Sequence, residues 1–133
     1  IQFPFYAGIM AVMVQSGLAQ TMSEWLISFA SAESLPVWSF ISAGIVNIFV
    51  PSGGGQWAVQ APVILPAAAE LGAEINRVAM AVAWGDAWTN LIQPFWALPV
   101  LAIAGLKAKD IMGFCLVQLI VTGVIISLVL RFV

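Results

Sequence analysis

The chain has 133 residues, 62% of them hydrophobic and 8% charged, with a formal net charge of −2 and a mean hydropathy of +1.06. That balance excludes a soluble domain, which must cover its surface with charge, and it leaves no basic patch for nucleic acid. With no His and one Cys, zinc and disulfide chemistry lack their ligands, and six Trp against one Tyr suit a polytopic protein in a lipid bilayer.

The chain begins at Ile1 with neither Met nor a basic leader, so Phe3 to Val14 does not read as a cleavable signal peptide, and a fragment is expected. Phe3 to about Ala19 is predicted to span the bilayer, with Gly8, Ser16 and Gly17 suited to close helix packing. Thr21 to Ala32 carries Ser23, Glu24, Trp25, Ser28 and Ser31 and reads as an interfacial stretch or the wet end of a tilted helix. Ser34 before Pro36 is a helix-start signal.

Between Pro36 and Glu70, two apolar arms, Val37–Val50 and Trp57–Ala69, flank the polar break PSGGGQ, Pro51 to Gln56. Each arm reaches only about 20 Å into a hydrocarbon core of about 30 Å, so the pair reads as a re-entrant hairpin over residues 36–70. The polar run ELGAEINR, Glu70 to Arg77, is the expected return loop.

Residues 78–106 are apolar enough to cross, yet their middle reads GDAWTNLIQP, Gly85 to Pro94. Two half-helices joined by an unwound link are predicted, the second opened by Asn90 as cap with Gln93 three residues on, or by Pro94 in the first turn. Lys107, Lys109 and Asp110 form the next loop, and Ile111 to Leu130 is a spanning helix that contains Cys115, a small core or lipid-facing residue. The fold class is therefore all-α integral membrane, a single transmembrane domain over residues 1–133 ordered as spanning helix, re-entrant hairpin, broken helix and spanning helix. Arg77 and Arg131 fall on one side and Lys107 and Lys109 on the other. The basic count is a tie, and the acids Glu33, Glu70 and Glu74 lean only slightly toward a cytoplasmic Lys side.

At the hairpin tip, Gly53, Gly54 and Gly55 let backbone N–H groups approach a ligand, and the second arm points the positive end of its dipole there. Such an end binds carboxylates, with Ser52 and Gln56 as hydroxyl and amide donors, although a plain exposed loop gives the same sequence. No Lys follows the glycines, so the run is not a nucleotide loop. Asp86 is the one acid expected at depth, with no basic residue beside it. It must be protonated, cation-bound or wet, or else serve as a cap for the second half-helix. Thr89, Asn90 and Gln93 carry the same double reading, of ligand contact or helix end. Asn47 suits an interhelical hydrogen bond, and Trp57, Trp84, Trp88 and Trp96 flank the breaks and could wall an acyl pocket. An intramembrane enzyme lacks a nucleophile with its base. A channel-forming or structural subunit stays open, distinguished from a carrier by the absence of saturation.

The runs VNIFVPSGGGQWAVQAPVILPAA, Val46 to Ala68, and AWGDAWTNLIQPFWALPVLAIAGLKAKDIMGF, Ala83 to Phe114, resemble the C-terminal half of the short-chain fatty acid transporters of bacterial inner membranes. These belong to an ion transporter superfamily with paired inverted repeats, each with a hairpin and a broken helix. The resemblance implies multi-pass transport of acetoacetate, butyrate or a similar monocarboxylate, or of another small organic anion. It also implies no cofactor beyond a coupling Na+ or H+ at Asp86, and partnership with an N-terminal repeat not in this chain. Homo-oligomerisation stays open. The tip reads PSGGGQ where the superfamily's di- and tricarboxylate carriers have a Ser-Asn-Thr type, so their site details do not carry over. Substrate and ion are expected between Ser52–Gln56 and Gly85–Gln93.

Overall fold

The computed structural model describes residue 8 and residues 11–132, and the described chain is all-helical. The predicted first span begins outside the described residues. Its described part, helical over residues 11–15, stops at Gly17, whose φ of 73° turns the chain before α1 (Leu18–Ile27). A left-handed residue at that point favours glycine, and it makes α1 a separate helix rather than the tail of a longer one.

Ser34 precedes α2 (Leu35–Phe49), and Pro36 lies in its first turn, where no amide donor is missed. Ser34 does not cap with its side chain; its Oγ instead accepts from the Ser31 amide at 2.9 Å. α3 (Gly53–Leu71) follows after only three residues and ends at Gly72, where φ is 72° and the Ala73 amide bonds back to the Ala68 carbonyl at 2.8 Å. The polar return thus shrinks to residues 72–74. α4 (Ile75–Thr89) leads into two 3-10 turns, Asn90–Ile92 and Pro94–Trp96, then α5 (Leu98–Ala104) and α6 (Ala108–Phe132). Among the described residues α6 alone is long and apolar enough to cross a membrane.

The structure differs from the sequence reading at both breaks. The three glycines are not an unwound tip but the first turn of α3, because Ser52 caps it: its Oγ accepts from the Gly55 amide at 3.3 Å and its carbonyl from the Gln56 amide at 2.7 Å. Gly85, Asp86 and Thr89 are likewise helical, and the interruption starts only at Asn90. Asn90 closes α4 rather than opening a second half-helix. Gln93 joins the two 3-10 turns, and Pro94 opens the second of them.

Gly85 serves packing. A Cβ there would fall 2.7 Å from the Ala43 Cβ and press on the Phe40 carbonyl, so α4 crosses α2 in direct backbone contact. Among the described residues this crossing is the most extensive helix contact, and it makes α2 their centre. Leu35, Ala43, Ile64, Ala68, Val78 and Val82 form one buried cluster, joining the start of α2, the end of α3 and the start of α4. At that same end Arg131 pairs with Glu33 at 3.2 Å, and the Arg77 guanidinium donates to the Leu130 carbonyl at 2.6 Å near the negative end of α6. The turn between α2 and α3 therefore lies at the other end, level with the close of α4.

Candidate functional site

Two polar clusters form where the hairpin turn meets the end of α4. The first is a knot around Asn47, which is fully buried on α2. Its Nδ2 lies 2.7 Å from the Asp86 carbonyl, 3.0 Å from Thr89 Oγ1 and 2.9 Å from Asn90 Oδ1, three acceptors that share its two hydrogens. Thr89 Oγ1 donates in turn to the Gly44 carbonyl at 2.9 Å, and Gln93 Nε2 to the Asn47 carbonyl at 3.0 Å. Thr89, Asn90 and Gln93 are thus brought together, but by one another's company with α2. The Thr89 hydroxyl, the Asn90 amide oxygen and one Gln93 N–H hold the end of α4 and the chain after it against the hairpin.

The second cluster surrounds a cavity of about 240 Å³ lined by Gly53, Gln56, Trp57, Val82, Ala83 and Asp86. Helix α3 opens toward it. Gly53 and Gly54 are exposed, and their amides have no hydrogen-bond partner among the described residues, as expected of the first positions of a helix. A Cβ on Gly53 would lie 3.5 Å from Asp86 Oδ2, so the carboxyl faces the start of α3. Asp86 is half-buried, and its Oδ1 has no partner. Ser52 is brought to the same turn, where its Oγ accepts as the cap and keeps its own O–H, and Gly55 has given its amide to that cap.

Gln56 behaves differently from the expected amide donor. Fully buried, it donates from Nε2 to the Ala43 carbonyl at 2.8 Å and to Gln60 Oε1 at 2.9 Å, which uses both of its hydrogens, while its Oε1 has no partner. Gln60 Nε2 continues the ladder to Ser42 Oγ at 3.1 Å. Neither Gln60 nor Ser42 was singled out by the sequence reading, although the spacing of Gln56 and Gln60 puts both amides on one helix face.

The tryptophans divide between cavities. Trp57 walls the one beside Asp86, whereas Trp84 and Trp88 line an apolar cavity of about 360 Å³ against Ile125, Ile126 and Val129 of α6. Trp88 is fixed by its indole N–H donating to the Leu119 carbonyl at 2.8 Å and by Gly123, where a Cβ would meet its ring at 2.6 Å. Trp96 is half exposed and packs edge-on against Phe95, with ring centroids 5.0 Å apart.

A helix of bilayer length in so apolar a chain fits a membrane protein. A family model described as "Short chain fatty acid transporter" matches residues 1–133, and the chain belongs to that family. It is 50% identical over 125 residues to a protein of Escherichia coli (strain K12) named "Putative short-chain fatty acid transporter", covering 94% of this chain and 28% of that protein. A Haemophilus influenzae protein of the same name is 48% identical over 132 residues, covering 99% of this chain and 30% of that protein. The chain thus spans less than a third of the length of the curated relatives it matches. No solved structure matches it.

Proposed function

We propose that these residues are part of a secondary carrier that moves short-chain monocarboxylates such as acetoacetate or butyrate across the bacterial inner membrane, driven by Na+ or H+. The observation that carries the reading is the start of α3, with its free Gly53 and Gly54 amides, opening on a small cavity that also contains the Asp86 carboxyl. Free amides at the positive end of a helix dipole suit a carboxylate head group. Trp57, Val82 and Ala83 give the same cavity an apolar side for a short acyl tail.

Two carboxylates in one small cavity repel. At a separation of about 5 Å and an effective dielectric constant of about 20, the cost is roughly 3 kcal/mol. A cotransported cation removes that cost, which gives the coupling ion a physical purpose. In this reading α2 and α3 enter the membrane and return on one side. α2, at about 22 Å, is too short to cross, and α3, at about 28 Å, is interrupted by Pro62 and Pro66 and carries Gln56 and Gln60.

Uptake of labelled butyrate by proteoliposomes of the full-length protein tests the function: saturable accumulation that collapses when both ion gradients are dissipated is expected. Non-saturating flux would favour a channel. For topology, single cysteines at Glu33 and Glu74 in a Cys115→Ala background are expected to react alike with an impermeant thiol reagent. Opposite labelling would remove the hairpin.

A further inference from the structure

A groove runs between α4 and α6, and its two ends differ in chemistry. The apolar cavity of about 360 Å³ is walled by Trp84, Ala87 and Trp88 of α4 and, across from them, by Thr122, Ile125 and Val129 of α6, each set at the spacing of one helix face. A second cavity of about 370 Å³ shares Trp84 and Val129 with it, and the rest of its wall includes Glu74, Asn76 and Arg77. The two adjoin at the shared residues and form one groove, apolar along its length and polar at one mouth. From Arg77 to Trp88 the helix rises about 16 Å, close to half of a hydrocarbon core of about 30 Å.

The polar groups at the mouth are uncommitted. Arg77 spends one N–H on the Leu130 carbonyl, and neither the rest of its guanidinium nor the side chains of Glu74 and Asn76 have a partner among the described residues. Trp84 stands where the mouth meets the apolar wall, and its indole N–H, unlike that of Trp88, has no partner among them either. The start of α2, at this same end, packs Trp38 on Phe29 and Phe29 on Trp25, with Phe29 and Trp25 exposed, as aromatic side chains are at the level of lipid head groups. We propose that this groove holds a phospholipid of the surrounding bilayer, selected for a zwitterionic phosphoethanolamine head group. One acyl chain lies between α4 and α6, Arg77 donates to the phosphate, and Glu74 accepts from the primary ammonium. A mouth with one base and one acid balances a head group that carries one charge of each sign. A phosphoglycerol head group brings no cation to Glu74 and is repelled by it, and the quaternary ammonium of a phosphocholine has no N–H to donate. The site rests on the chain lying in a bilayer and not on transport.

The test is thermal unfolding of the delipidated full-length protein in detergent, titrated with dioleoyl phosphatidylethanolamine, phosphatidylglycerol or phosphatidylcholine. A saturable rise in Tm with phosphatidylethanolamine is expected, with apparent affinity at least tenfold weaker for the other two. Glu74→Lys should reverse the order, so that phosphatidylglycerol binds at least tenfold more tightly than phosphatidylethanolamine, a gain that damaged folding cannot imitate. Ile125→Trp, which fills the groove from an exposed position on α6, should weaken phosphatidylethanolamine at least tenfold, while Val117→Trp, exposed on the same helix and outside the four cavities described, should leave it within threefold. A wild-type protein that prefers phosphatidylglycerol, or an unchanged preference in folded Glu74→Lys protein, overturns the head-group assignment. Binding untouched by Ile125→Trp overturns the groove. Absence of any saturable lipid effect also overturns the proposal, and would mean that the rest of the full-length chain covers this face.

Discussion

The two interruptions in the helical path, one between α2 and α3 and one after α4, lie side by side yet are built in opposite ways. After α2 the chain restarts a helix within three residues, and the new helix leads with Gly53 and Gly54, which are exposed and whose amides have no partner among the described residues. After α4 it runs through two 3-10 turns and is held to α2, where Asn90 Oδ1 accepts from Asn47 and Gln93, between the turns, donates to the Asn47 carbonyl. A polar group bound within the fold mainly supplies stability, and one left over at a cavity is available to a ligand. The comparison therefore separates residues that look alike in sequence: Gly53, Gly54, Gln56 and Asp86 on the open side, Asn47, Thr89, Asn90 and Gln93 on the closed one.

The largest expected effect is on the open side. Asp86→Asn keeps the size of the side chain and removes its charge, so gradient-driven accumulation of butyrate by the full-length protein should fall to the equilibrium level. The protein should still purify as a single species, and exchange of labelled for unlabelled butyrate should survive. Normal accumulation by that variant would make Asp86 a helix-end residue and place coupling elsewhere.

On the closed side the expected loss is in stability. Asn47→Leu preserves volume but strips the donor from the Asp86 carbonyl, Thr89 Oγ1 and Asn90 Oδ1. Buried acceptors without a donor should cost about 2 kcal/mol in all, some of it offset because the unpaired Asn47 Oδ1 is removed too. Denaturant unfolding in detergent measures it. Butyrate affinity of the folded variant should stay within threefold, and a tenfold fall would move Asn47 and its partners to the substrate.

The two breaks were legible in the sequence but the division between them was not, since Thr89, Asn90 and Gln93 read as site residues together with Ser52 to Gln56, and the difference has physical causes. PSGGGQ and GDAWTNLIQP mark the two breaks because polar and helix-weakening residues are rare in so apolar a chain, and Asn47 suited an interhelical bond for the same reason. The residues at which each break begins and ends could not be read. Glycine has a poor helix propensity, so Gly53 to Gly55 looked unwound, but the Ser52 cap and the packing of α3 override a cost of about 1 kcal/mol per residue. Gly85 was expected in an unwound link and is instead a contact point: without a side chain it lets α4 lie on the backbone of α2, whose Phe40, Ala43 and Gly44 are 41 to 45 residues away in sequence. The direction of the Gln56 amide depends on the Ala43 carbonyl, and no spacing rule predicts it.

The smallest expected effect is the sharpest test of the open side. Gly54 lies in the first turn of α3, is exposed, and has nothing within 4 Å of where a Cβ would project, and its φ is not among the positive ones. Gly54→Val should therefore fold as the wild type does, with a stability change of at most about 1 kcal/mol. If a substrate carboxylate approaches the amides of Gly53 and Gly54, the new isopropyl group stands in its path, and butyrate should bind at least about tenfold more weakly, which corresponds to roughly 1.4 kcal/mol. Weakened butyrate binding in folded protein would put the substrate at the start of α3. Unchanged butyrate affinity in folded protein would mean that the substrate does not touch the start of α3, and its site would have to be sought among Asp86, Asn90 and Gln93.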